Sequence, residues 1–170
     1  MRPEPKTYPS INALHADVRR LLKKYKCQYE LHQVRAQFMG AIASPIEQVN
    51  PMQEIKALWQ GALPPFKNME SVNELLGVLA MGLWNQLSKH CDEEHPFELT
   101  AFTEVSNGKE LRQFAHIKRD EIECFIQGFF QGQEKIKLPP QIGESLDVLE
   151  DLVGMFAGIV NIPKKAHERE

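Results

Sequence analysis

Apolar residues recur along this chain at the three- and four-residue spacing of helices, not the two-residue alternation of strands. From about Ile11 to Lys26, the positions Ile11, Leu14, Val18, Leu21 and Leu22 share one helical face, and Ser10 stands ready to cap it. A second helix is predicted from about Tyr29 to Ala43, with Leu31, Val34, Phe38 and Ile42 inward. Ser44-Pro45 ends it, because the residue before proline avoids the α region. Pro51 suits the first turn of a short helix with the buried stripe Ile55, Leu58 and Trp59, stopped by Gly61. Asn68 or Ser71 caps the longest helix, which runs to about His90 on an apolar face of Val72, Leu75, Leu76, Leu79, Leu83 and Leu87.

Residues 92 to 107 are the least regular stretch; Glu98 to Val105 alternates too weakly to read as a sheet. Helix resumes over about Leu111 to Gln133, with a break placed near His116. Leu138-Pro139-Pro140 separates it from a last helix, about Gln141 to Asn161. There the spacing puts Ile142, Leu146, Leu149, Leu152, Val153, Phe156 and Val160 inward and leaves Glu144, Asp147, Glu150 and Asp151 wet. The pattern predicts an all-α, single-domain orthogonal bundle of about six to seven helices over residues 10 to 162. A flexible arm (1 to 9) precedes it and a polar tail (163 to 170) follows. No strand alternates with the helices, which disfavours a parallel α/β sheet.

A chain of 170 residues hides roughly 70% of its unfolded surface on folding, enough to bury a core. Total charge is −3, which excludes a chain-wide field for nucleic acid. Residues 1 to 26 nevertheless hold seven basic and two acidic side chains, a net of +5, leaving −8 for the rest. The three cysteines, Cys27, Cys91 and Cys124, are odd in number and far apart, so a reducing compartment is expected. The N-terminal stretch has no apolar h-region and no segment reaches the ~20 apolar residues of a membrane span. The expectation is a cytoplasmic protein.

Three groups of residues bear on function. The run IECFIQGFFQGQ sets Gly128 and Gly132 four apart beside Phe125 and Phe129. Glycine inside a helix costs about 1 kcal/mol relative to alanine, so the pair points to helix packing or association at close backbone range; Gly154 and Gly158 repeat the spacing. Arg19, Arg20, Lys23, Lys24 and Lys26 crowd the end of the first helix. They either complement the helix dipole or bind an anionic partner, whether nucleic acid or an acidic protein surface. His90-Cys91 with His95 has zinc-type ligands, but adjacent residues and no fourth ligand do not make a zinc spacing. No nucleophile elbow, phosphate-cradling loop or His-Glu-x-x-His occurs. The carboxylate pairs Glu121/Glu123 and Asp147/Glu150 read as solvated helix faces. Neither a catalytic residue, a cofactor site nor a metal site is predicted.

The order of these landmarks resembles the YecA-like and YgfB-like family of uncharacterised bacterial proteins, over roughly residues 10 to 161. The resemblance rests on LLKKYK ending the first helix, VRAQFMGAIASP running into a proline stop, and NPMQEIKALWQG. HPFELTAF and the aromatic-glycine run CFIQGFFQG follow in order. It implies an all-helical fold with no enzymatic activity attached. Longer members end in a SecA-type zinc-binding cysteine motif that this sequence lacks, so no inherited metal site is expected. Ala36-Gln37 stands near the place where many relatives have an acidic Asp-Gly.

The functional expectation is a non-catalytic binding, adaptor or regulatory protein with a protein partner, compatible with homodimer formation and without membrane association. A nucleic-acid-associated protein using the basic end of the first helix is the alternative, and behind it an enzyme using His90, His95 and His116.

Overall fold

The computed structural model describes residues 8, 10–46, 49–92, 94–102 and 104–162. Among them the chain forms six helical segments and no strand, so the all-α expectation holds. We number them α1 (Ile11–Lys24), α2 (Leu31–Ala43), α3 (Pro51–Ala57), α4 (69–91), α5 (Gly108–Phe130) and α6 (Pro140–Val160). The proposed arm at residues 1 to 9 lies outside the described residues except for Tyr8, which is half-buried against the core. The tail from 163 lies outside them altogether.

Side-chain caps set most helix starts. Ser10 accepts a hydrogen bond from the Ala13 amide at 3.2 Å, and Asn50 accepts from Met52 at 2.9 Å with Pro51 in the first turn. Asn68 accepts from Ser71 at 2.9 Å, and Asn107 accepts from both Lys109 and Glu110 at 3.0 Å. Each satisfies amides that a helix leaves unpaired. At α2, the Gln33 side-chain oxygen reaches back and accepts from the Glu30 amide at 2.8 Å.

The main core joins α1 to α4. Val18, Leu21, Val34, Phe38, Ile55, Leu75, Leu79, Leu83 and Leu87 are all fully enclosed, each side chain stabilising by about 1.5–3 kcal/mol relative to exposure. Phe38 meets Trp84 edge to face at 5.3 Å. Within α4 the run Gly77–Trp84 winds as a π-helix, where Val78, Leu79, Leu83 and Trp84 are all buried. The sequence shows continuous apolarity there but no cue for the wider winding.

Helix α2 is the centre of the molecule. It buries Leu31, Val34 and Phe38 toward the main core, and Gln37, Gly40 and Ala41 are also enclosed. Its other side lies on α5, and α6 in turn lies on α5. A Cβ added at Gly128 of α5 would strike the Gln37 carbonyl group and come within 3.0 Å of the Ala41 nitrogen. A Cβ added at Gly40 would strike the Phe125 carbonyl group and come within 2.9 Å of the Phe129 nitrogen. The two helices therefore touch backbone to backbone. Ser44 fastens the end of the contact, its hydroxyl donating to the Phe129 carbonyl at 2.6 Å. Phe125 and Phe129 stack beside it at 6.3 Å.

Several expectations need correction. Gly132 is not a helix-packing residue: α5 ends at Phe130, Gln131 turns left-handed at φ 47°, and Gly132 follows at φ +76° with no neighbour where a Cβ would sit. It serves the turn out of the helix, where a positive φ favours glycine. Gly154 and Gly158 likewise meet nothing among the described residues and are exposed. Helix α5 is unbroken at His116. Helix α1 stops at Lys24, and Lys26 has φ 51°, so Lys26 leaves the face shared by Arg19 and Lys23. In α6 only Leu146 is buried, while Ile142, assigned inward, is exposed.

Alanine at Gly40 or Gly128 should force α2 and α5 apart and lower stability by about 1–3 kcal/mol. Alanine at exposed Gly154 should be neutral or stabilising, because it gains helix propensity without a clash. Denaturant unfolding of the three variants checks this; equal midpoints for all three would remove the close backbone contact.

Candidate functional site

The five basic residues at the end of α1 divide into two sets. Arg20 and Lys24 turn toward α4, where Glu74 accepts from the Arg20 guanidinium at 2.8 Å and from the Lys24 ammonium at 3.1 Å. Asp17 holds the same guanidinium at 3.2 Å. The two cations keep the Glu74 carboxyl below the usual carboxylate range. Arg19 and Lys23 point elsewhere: both are exposed, and neither has an ion-pair partner among the described residues. They line a cleft of about 940 Å³ between α1, α2 and residues 98–101. Lys26 borders a separate, smaller hollow beside Trp59.

The cleft also receives His15, His32 and Arg35. Arg35 lies over the Phe97 ring at 5.1 Å, and its terminal nitrogen donates to the Glu98 carbonyl at 3.2 Å. Among the described residues its Nε is enclosed without a hydrogen-bond partner, as are Nε2 of His15 and Nε2 of His32. Burial, then the charges of Arg35 and Arg19, push the His15 pKa below the ordinary histidine value. Two carboxylates temper the site: Glu30, 3.5 Å from His32, and Glu98. The arrangement is a concave surface with cations on its rim and polar side chains on its floor. It offers donors and charge.

The cleft wall at 98–101 has no regular structure and depends on a residue the sequence misassigned. Glu121 of α5 is fully buried, not a member of a solvated pair with the exposed Glu123. Its carboxylate accepts from the Thr100 amide at 2.8 Å and the Thr100 hydroxyl at 2.6 Å, with the Lys118 ammonium 3.5 Å away. Lys118 also donates to the Thr100 carbonyl. A charge on a helix face next to three other charged residues gave no signal that it would be enclosed. A second buried carboxyl, Glu54 of α3, is pushed above its ordinary range by burial, opposed by a hydrogen bond from Gln37.

The other candidates are scattered. His90 is held at both ring nitrogens, near the His95 carbonyl at 2.9 Å and the Gln86 amide at 3.1 Å. His116, on α5, pairs with Asp120 at 3.2 Å. Among the described residues the only trio with metal-ligand proximity is Asp92, Glu94 and His95, all exposed; His90 and Cys91 are not in it. Cys27, Cys91 and Cys124 are free thiols. Burial pushes the Cys124 thiol up to about 12, so it is not a nucleophile at neutral pH.

Glu121→Ala should lower stability by about 3 kcal/mol, since it strips Lys118 and Thr100 of a buried partner; an unchanged chemical-denaturation midpoint would remove the clamp. A second expectation concerns pH. His15 binds its proton less readily folded than unfolded, so its contribution to stability is complete above about pH 6.5 and is lost as pH falls below it. Wild type should therefore lose more Tm than His15→Gln between neutral and mildly acidic pH.

Comparison of the chain with protein-family models, curated proteins and solved structures yields no match.

Proposed function

We propose that this protein is a non-catalytic adaptor or regulatory protein that receives an acidic segment of a partner protein in the cleft between α1, α2 and residues 98–101. The observation that carries this reading is the pair Arg19 and Lys23, which have no ion-pair partner among the described residues and stand on the rim of a concave site. Arg35 supplies a third cation deeper in. A carboxylate side chain entering there would exchange water for charge-assisted hydrogen bonds, which are about twice as strong as neutral ones.

The same geometry weighs against nucleic acid as the ligand. Glu74 occupies Arg20 and Lys24, so the patch presents about half the cations its sequence promised. Proteins that hold DNA electrostatically make about 6–10 phosphate contacts. The landmarks shared with the YecA-like and YgfB-like family favour the adaptor reading, and membership in that family is part of the proposal. So is a cytoplasmic setting, which rests on three unpaired cysteines.

The test is fluorescence anisotropy with a labelled glutamate-rich peptide and, separately, a labelled single-stranded RNA, over a series of salt concentrations. The peptide should bind at low salt. The double variant Arg19→Ser, Lys23→Ser should weaken it by about tenfold or more, near 1.4 kcal/mol. Glu74→Gln, which frees Arg20 and Lys24, should leave peptide affinity unchanged or raise it. No peptide binding at low salt, or RNA binding that survives physiological salt and is lost in the double variant, would overturn the reading.

A further inference from the structure

Helix α6 carries two apolar seams and, among the described residues, packs chiefly on one helix, α5. The first seam, Leu146, Leu149, Val153 and Phe156, lies toward α5: Leu146 is buried, and Phe156 meets Phe114 edge to face at 5.9 Å. The second runs Val148, Leu152, Met155, Ile159 and, just past the helix end, Ile162. Its spacing of four, three, four and three is the 3.5-residue repeat of a helix-pairing seam. At 3.6 residues per turn the two seams stand roughly a third of a turn apart. Val148 is 57% exposed, Met155 51% and Ile162 38%, while Leu152 and Ile159 are half-buried. An α-helix on the surface of a folded domain ordinarily turns one apolar stripe inward and polar residues outward. Here a second stripe faces out.

Charge says what fits it. Helix α6 has four acidic residues, Glu144, Asp147, Glu150 and Asp151, and no basic one. Glu144 and Asp151 border the exposed seam on the side away from α5. A second copy would bring eight carboxylates together with no basic residue from either α6. Helices that lie on anionic membranes carry lysine and arginine on their polar face; α6 carries none.

We propose that the outer seam of α6 docks an amphipathic helix of about four turns from a partner protein. That helix has aliphatic residues at 3.5 spacing and lysine or arginine along the flank that meets Glu144 and Asp151. The site is separate from the cationic cleft and takes a ligand of opposite charge.

The experiment uses the full chain and two labelled synthetic helices with the same leucine seam, one flanked by lysine and one by glutamate. The lysine peptide should bind at least about tenfold more tightly than the glutamate peptide. Met155→Glu should abolish that binding while leaving Tm unchanged. Glu144→Gln with Asp151→Asn should erase the seam's preference for lysine, and Arg19→Ser with Lys23→Ser, which removes the cleft's pull on the glutamate peptide, should leave lysine-peptide binding unchanged. Absence of lysine-peptide binding by wild type, or lysine-peptide binding unaffected by Met155→Glu, overturns the proposal. So does a fall in Tm for that variant, which would mean that the seam is already covered within the chain. Light scattering supplies the last arm: a wild-type dimer that Met155→Glu splits makes a second copy the occupant and refutes the partner helix.

Discussion

The backbone-to-backbone contact of α2 and α5 is the constraint on which the rest of the structure depends. Gly40 and Gly128 let two helices approach until each faces the other's carbonyl groups, a distance that any Cβ would forbid. The contact couples two layers that otherwise share little. On one side α2 closes the core of α1, α3 and α4; on the other, α5 carries α6 and the irregular 98–102 segment. Helix α2 is thus covered on two faces, which explains why its sequence is apolar around most of its circumference and shows weak amphipathicity.

The cleft is a consequence of that layering. Its first two walls come from α1 and α2, which belong to the main core. Its third wall has no helix of its own and is held by the buried carboxylate of Glu121 reaching up from α5. A loop of this kind needs such a partner, because buried backbone amides without hydrogen bonds are costly. The cations on the rim are then sorted by which neighbour lies within reach. Glu74 sits close enough to α1 to claim Arg20 and Lys24, and the cleft keeps Arg19 and Lys23.

The two proposed surfaces have opposite character. The cleft is polar, concave and rimmed by cations; the outer seam of α6 is apolar, convex and bordered by carboxylates. An adaptor benefits from that contrast, since a segment attracted to one surface is repelled by the other.

Periodicity alone determined the six helices and most of their boundaries. The capping residues Ser10 and Asn68, the proline stops and the leucine faces act within one or two turns, and local sequence records local rules. It also marked Gly128 as a costly residue in need of a reason. What it did not hold was any fact about distance between remote parts of the chain. Gly128 and Gly132 look equivalent as letters; one meets a helix 88 residues away in sequence and the other turns the chain, a difference visible only once α2 is in place. Glu121 and Glu123 look like one solvated pair, yet packing of the 98–102 segment encloses the first and leaves the second wet. The five basic residues form one cluster along the chain and two in space, because Glu74 lies 54 residues from Arg20 in sequence and 2.8 Å away in the fold. Both seams of α6 are present in the sequence as spacing, but which one is covered was decided by tertiary structure, since among the described residues it is α5 that lies along one of them.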